Sequence, residues 1–311
     1  MKPYIGRFAP SPSGPLHAGS LVAALASYLD ARAAQGQWLV RIEDIDPPRE
    51  MPGAGDLILS QLEAHGLHWD GDVSYQSQHQ RYYLAALENL AAQKLLFACC
   101  CSRERLRTLG GQYDGRCRHH VLEPPAIAES FTGTPDLAST AIRIRTDVSS
   151  VIEFDDLIQG PQRVDLQTTG GDFIVRRRDQ LFAYQLAVAV DDLHQGISHV
   201  IRGDDLLSST PRQLFLIKAL SVDIAPDQLS TRPVYGHVPV VTDNEGQKLS
   251  KQNKTPPLDP NTSVSNLYRA LLWLNQDPPP TLLDGTVNEL LSWAIEHWQR
   301  ENTASVRHQK P

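Results

Sequence analysis

Phe8-Ala9-Pro10-Ser11-Pro12-Ser13-Gly14-Pro15-Leu16-His17-Ala18-Gly19-Ser20 follows a strand-like run, Tyr4-Ile5-Gly6-Arg7-Phe8. Behind it Ala18, Leu21, Val22, Leu25 and Leu29 recur at helical spacing until Gln35-Gly36. Strand, tight loop and helix in that order set a helix N-terminus at the end of a strand. Such an end offers unpaired N–H groups and the positive pole of the helix dipole, and both suit phosphate. Gly14 and Gly19 let a nucleotide approach the backbone, and His17 can donate a hydrogen bond to phosphate oxygen. An ordinary loop capped by a surface histidine would carry the same residues, so the reading depends on what accompanies it.

Working outward, Gln37-Trp38-Leu39-Val40-Arg41-Ile42 reads as a second strand, which makes the start of the chain a right-handed parallel unit and half of a Rossmann-like sheet. Glu43 and Asp44 then fall at the carboxyl end of that strand, where such sheets bind ligands. Residues 56–65 and 78–95 carry helical apolar faces. Far downstream, Gln247-Lys248-Leu249-Ser250-Lys251-Gln252 follows strand-like Val238-Pro239-Val240-Val241 and the turn Asp243-Asn244-Glu245-Gly246. Two lysines at that spacing in a loop, Lys248 and Lys251, can reach a polyphosphate and offset charge that develops there.

Between the two motifs lie all four cysteines, Cys99, Cys100, Cys101 and Cys117. In a reducing compartment such clustering points to a metal or reactive thiols. Three thiolates can hold a tetrahedral zinc, and spacing alone leaves the fourth ligand open among Tyr113, His119 and His120. Residues 123–135 read as a loop. Residues 140–145, 151–154, 163–167 and 173–178 alternate apolar with polar side chains and suggest antiparallel hairpins. The apolar run Leu186, Val188, Val190, a strand over 199–202 and a helix over 210–220 mark the return of the parallel domain. Pro-rich residues 255–260 form a boundary, beyond which helical patterns over 264–274 and 287–299 precede a polar tail.

The chain of 311 residues, 41% hydrophobic and 21% charged, suffices for a sizeable core and matches an ordinary globular protein. No apolar run approaches membrane-spanning length and Met1-Lys2-Pro3-Tyr4 does not open a secretion signal, so the expected location is cytoplasmic, with no membrane partner. A net charge of −7 does not advertise nucleic-acid binding, yet Arg103, Arg105, Arg107, Arg116, Arg118, His119 and His120 cluster locally, as do Arg176, Arg177 and Arg178.

The two motifs in this order resemble the paired signatures of the class I aminoacyl-tRNA synthetases: His17-Ala18-Gly19-Ser20 matches His-Ile-Gly-His, and Lys248-Leu249-Ser250-Lys251-Gln252 matches Lys-Met-Ser-Lys-Ser. Ser20 and Gln252 depart from that pattern. The blocks Arg7-Phe8-Ala9-Pro10-Ser11-Pro12, Arg41 to Arg49, Tyr184 to Asp192 and Ile201 to Leu206 narrow the resemblance to the glutamyl branch. Cys-x-Cys, Tyr and Cys with Leu109-Gly110-Gly111-Gln112-Tyr113-Asp114-Gly115-Arg116-Cys117, and the absence of a large helical region after the lysine motif, make it similar to the glutamyl-queuosine tRNA(Asp) synthetases.

The resemblance implies an α/β chain: a Rossmann-like parallel-sheet nucleotide-binding domain, an inserted zinc-bearing α+β subdomain and a short C-terminal helical region. The expected divisions are 1–96 and 184–254 for the catalytic halves, 97–183 for the zinc and tRNA-contacting insertion, and 255–311 for the helices and tail. It implies a structural zinc on Cys99, Cys101, Tyr113 and Cys117, with Cys100 a bystander. Glutamate would contact Arg7, Phe8, Ala9, Pro10, Ser11, Glu43, Tyr184 and Arg202. ATP, used with magnesium, would contact His17, Gly19, Ser20 and Lys251, with His17, Lys248 and Lys251 as the catalytic set. Charge logic agrees, since glutamate needs two cationic or strong donor groups and one anion, and a guanidinium fork suits a carboxylate. The implied reaction is ATP-dependent formation of glutamyl-adenylate and transfer of glutamate to the queuosine base in the anticodon loop of tRNA(Asp), without an obligate protein partner. The competing readings are a minimal synthetase charging tRNA(Glu) and a glutamate- or tRNA-binding paralogue without activation.

Overall fold

The structure, a computed structural model, describes residues 3–127, 140–221, 232–241 and 256–303. Lys248 and Lys251 lie outside the described residues. The first half begins with β1 (Ile5–Phe8), α1 (Ala18–Ala33), β2 (Gln37–Ile42), α2 (Ala54–Ala64), the two-residue β3 (Ser74–Tyr75) and α3 (Gln80–Ala92). β1, β2 and β3 run parallel in that spatial order. Downstream come α5 (Tyr184–His194), β9 (His199–Gly203), α6 (Thr210–Leu220) and β10 (Val234–Val238), with β9 and β10 again parallel. Ser198 N–H donates to the Ile5 carbonyl at 2.9 Å, which sets β9 beside β1. The order is therefore β3-β2-β1-β9-β10, and the direction of progression reverses between β1 and β9. In such sheets the crevice beyond the strand carboxyl ends at that reversal receives the ligand.

The insertion contributes β4 (Leu96–Cys99), α4 (Arg103–Thr108), β5 (Ala141–Ile144), β6 (Val151–Asp156), β7 (Gly160–Asp165) and β8 (Phe173–Arg176). β6 and β7 form the expected hairpin, while β5 pairs antiparallel with both β4 and β8. The hairpin is tied to the parallel sheet: Leu157 N–H donates to the Tyr235 carbonyl at 2.8 Å, and Gln159 Nε2 donates to the His237 carbonyl at 2.7 Å.

One expectation shifts. The strand expected over 238–241 lies earlier, at Val234–Val238, because it is Val234 to Val238 that pair with His199 to Gly203. The apolar run Leu186, Val188 and Val190 belongs to helix α5, which is buried on more than one face. The last helices, α7 (Ser263–Trp273) and α8 (Val287–Glu296), place Leu267, Leu271, Leu290 and Leu291 in one core with Leu25, Leu29 and Trp38. Among the described residues no helix is long and apolar enough to cross a membrane.

Candidate active site

The loop after β1 is held from both sides before it reaches α1. Pro10 and Pro12 carbonyls accept the N–H groups of Glu43 and Met51 at 3.0 and 2.9 Å, which folds the loop over the end of β2. Gln61 of α2 accepts the Leu16 N–H at 2.7 Å and donates to the Leu258 carbonyl at 3.1 Å, while Leu258 N–H donates to the Leu16 carbonyl at 2.9 Å. His17 is thereby fixed as the N-cap of α1, its Nδ1 accepting the Ser20 N–H at 3.3 Å. A neutral ring that accepts at Nδ1 carries its proton on Nε2, the donor that a phosphate requires.

His17 opens onto a cleft of about 300 Å³ at the β1/β9 reversal. Its walls include Arg7, Phe8, Ala9 and Ser11 from the first strand and loop, Gly19 and Ser20 from the start of α1, Glu43 after β2, Tyr184 at the start of α5, Arg202 and Asp205 around the end of β9, and Val238 to Val241. Of the expected glutamate contacts only Pro10 is not part of the lining; its carbonyl instead anchors Glu43. Val241 is the last described residue before the segment that contains Lys248 and Lys251.

The charges in the wall are tightly organised. Arg7 donates through Nε and Nη2 to both oxygens of Asp192, at 3.1 and 3.0 Å. Arg41 donates to Asp192 at 2.8 Å and lies 3.7 Å from Asp191 and 3.6 Å from Glu43. Asp191 also accepts from Gln76 at 2.7 Å and from Tyr83 at 2.8 Å. Burial alone would raise the Asp192 carboxyl, but Arg7 and Arg41 overcome it and hold it down at about 2. Glu43 goes the other way, pushed up to about 7 chiefly by burial despite Arg41 and Arg7.

Arg202 is 4% exposed and engages Thr210 Oγ1 and Gln213 Oε1 through Nη2, both at 2.8 Å, and His237 Nε2 through Nε at 3.1 Å. Its Nη1 is buried without a protein partner. A buried donor left unmatched is costly unless a ligand completes it, and this one belongs to a residue of the cleft wall.

Asp192, Arg41, His237, Thr210 and Gln213 stand behind the wall, on its Arg7, Glu43 and Arg202, and the sequence reading gave them no role. The signal was available for two of them. Asp191-Asp192 closes an otherwise apolar helical run and His237 interrupts an apolar strand, and a buried charge or ring nitrogen requires a partner.

In the insertion, the Sγ atoms of Cys99, Cys101 and Cys117 lie within 4.8 Å of one another, Cys101 and Cys117 at 3.7 Å. An edge of roughly 3.8 Å is what four thiolate-length bonds to a tetrahedral zinc produce. The Tyr113 hydroxyl lies 3.8 Å from Cys99 Sγ and accepts the Cys117 N–H at 2.8 Å, so its oxygen is already an acceptor facing the thiols. Gly171, at φ +70, lets its loop pass the Tyr113 carbonyl where a Cβ would stand at 3.0 Å. The donor set therefore fits zinc. His119 and His120 are exposed, lie with their ring centroids 3.9 Å apart and tilted by 42°, and do not join the cluster among the described residues. Of the basic cluster, Arg105 pairs with Asp114 and Arg118 with Asp172, while Arg103, Arg107 and Arg116 are exposed.

The parallel sheet, the capped helix N-terminus and the charged groups at its switch point all lie within residues 5–262, which match the family model of tRNA synthetases class I (E and Q), catalytic domain. The fold and site are thus those of a class I tRNA synthetase catalytic domain. Over 98% of this chain and 67% of its own, the glutamate-tRNA synthetase from Elizabethkingia anophelis shares the fold at a TM-score of 0.76 and 24% identity. Glutamyl-Q tRNA(Asp) synthetases are nearer in sequence. That of Pectobacterium atrosepticum is 48% identical over 95% of this chain and 85% of its own, and that of Thiobacillus denitrificans 49% identical over 96% and 94%. The chain belongs to the glutamyl-Q tRNA(Asp) synthetase family.

Proposed function

We propose that this enzyme activates L-glutamate with ATP in the cleft and transfers it to the queuosine base in the anticodon loop of tRNA(Asp). The observation that carries the reading is the unmatched Nη1 of Arg202 in a wall that also holds Arg7, Glu43 and His17. Arg7 and Arg202 receive the two carboxylates, Tyr184 adds a hydroxyl, and Glu43 with Ser11 receives the ammonium. An oxygen of the glutamate α-carboxylate attacks the α-phosphorus of magnesium-bound ATP, the bond to the bridging oxygen breaks, and pyrophosphate leaves with the electron pair. His17 Nε2–H and the α1 N-terminus, with Gly19 and Ser20 at its first turn, stabilise the added charge. Lys248 and Lys251 are assigned to the polyphosphate from their motif. An acceptor hydroxyl of the queuosine base then attacks the glutamyl carbonyl, releasing AMP and a proton.

Cys99, Cys101, Tyr113 and Cys117 would hold a structural zinc, which closes all four positions and supplies a crosslink, not a reaction step. Exposed Arg103, Arg107 and Arg116 beside it would meet tRNA phosphates.

Glutamate-dependent exchange of labelled pyrophosphate into ATP tests activation. Exchange by the native enzyme and its loss in Lys251→Ala support the reading, whereas glutamate binding without any exchange would reduce the chain to a binding paralogue.

A further inference from the structure

Arg202 is gripped from behind by groups that no step of the reaction uses. In the β9–β10 pairing His237 is the direct register partner of Arg202. His237 is wholly buried, with Nδ1 2.5 Å from Asp156 Oδ2 and Nε2 3.1 Å from both Arg202 Nε and Thr210 Oγ1. An arginine Nε always carries hydrogen, so His237 Nε2 accepts and the proton of the neutral ring sits on Nδ1, donated to Asp156. Burial, and then Arg202, hold the imidazole below its ordinary range against the pull of Asp156. Asp156 is itself fixed, because its Oδ1 accepts the backbone N–H groups of Ile158, Gln159 and His237 at 3.0, 2.8 and 3.0 Å. The chain of contacts runs from the inserted hairpin, through the catalytic sheet, to the Arg202 guanidinium, whose Nη1 is buried at the cleft without a protein partner.

We infer that His237, locked by Asp156 with its proton on Nδ1, is a positioning residue for substrate recognition: by accepting the Arg202 Nε–H it fixes the guanidinium so that Nη1 meets a carboxylate of the substrate. The inference rests on the assignment of Arg202 to glutamate. A tether at Nη2 alone would leave the guanidinium free to swing about that contact. The second tether at Nε removes this freedom, and its cost is borne before the substrate arrives.

Asp156→Asn is the discriminating change. With Oδ1 committed to three backbone N–H groups, the new amide must face His237 Nδ1 as a donor. The ring proton then moves to Nε2, where it opposes the Arg202 Nε–H. His237→Leu removes the acceptor outright, and His237→Gln restores one at comparable reach. Calorimetric binding of L-glutamate should weaken roughly ten-fold in Asp156→Asn and His237→Leu, the scale of one charge-assisted hydrogen bond, and by no more than about three-fold in His237→Gln. ATP binding should change by less than about two-fold in all three, which a general loss of structure would not allow. Nitrogen NMR should find Nε2 of His237 unprotonated in the native protein and protonated in Asp156→Asn. Glutamate affinity unchanged in His237→Leu, or a native His237 protonated at Nε2, overturns the inference. Should the Leu variant fail to fold, Asp156→Asn and His237→Gln decide alone. A native protein that binds no glutamate would refute the proposed function, while the tautomer would still decide whether His237 orients Arg202.

Discussion

At the scale of single residues, the Glu43 carboxyl is raised by burial to about 7, and on the proposed function it would receive the substrate ammonium only when ionised. Glutamate affinity should therefore fall as pH drops below about 7, approaching ten-fold per pH unit, and a flat profile between about pH 5 and 8 would contradict the assignment. The same shift has a consequence for stability. A carboxyl whose folded value exceeds its ordinary 4.5 contributes stability below that point and loses it as pH rises through about 7. Glu43→Gln should therefore melt higher than the native enzyme at about pH 8 and lose that advantage towards about pH 4.5, as differential scanning calorimetry would show. Asp192 has the opposite sense. Held down at about 2 by Arg7 and Arg41, it stabilises the fold above its ordinary range and loses that contribution only in strong acid. Asp192→Asn leaves two buried guanidinium groups short of charge and should cost about 3 kcal/mol or more in denaturant unfolding. Arg7, Arg202, Glu43 and Tyr184 were legible as neighbours in one cleft because they stand in the sequence blocks that resemble the glutamyl branch. Asp192 and His237 were harder to read because their partners are other side chains, remote in sequence and chosen by the fold.

Helix α1 and the cysteine cluster are elements whose geometry does the work. His17→Ala removes the cap of α1 and, on the proposed function, a phosphate donor with it. Pyrophosphate exchange should fall by roughly a hundred-fold with glutamate affinity changed by less than about three-fold, since the loss is confined to the transition state. Equal losses in both would place His17 with the amino acid instead. In the insertion, a chelator should lower the melting temperature of native enzyme but not of Cys101→Ser, while glutamate-dependent exchange persists in both; abolished exchange would give the cluster a role in activation. The strand–loop–helix opening was readable because every local signal agreed: apolar period, glycine placement and cap. β4 was not, since Leu96-Phe97-Ala98-Cys99 becomes a strand only through its pairing with β5. Such pairing is a tertiary fact that local propensity does not contain.

For the whole molecule, the sheet order brings residues from Arg7 to Val241 to one crevice, and the insertion touches its Arg202 from behind through Asp156 and His237. The last helices share a core with α1. Cutting the chain after residue 255 should therefore expose Leu25, Leu29 and Trp38 and abolish cooperative unfolding, rather than release an intact catalytic domain. Beyond the Pro-rich boundary at 255–260, the apolar faces of α7 and α8 are buried in the same core as α1. The claim on which all scales depend is the acceptor. Enzyme, ATP and labelled glutamate should be incubated with queuosine-containing tRNA(Asp), and the labelled nucleotide mapped after nuclease digestion. Label is expected in the anticodon-loop fragment that carries queuosine, and none when periodate has destroyed that base beforehand. Label on the 3′-terminal adenosine, or on tRNA(Glu), would contradict it.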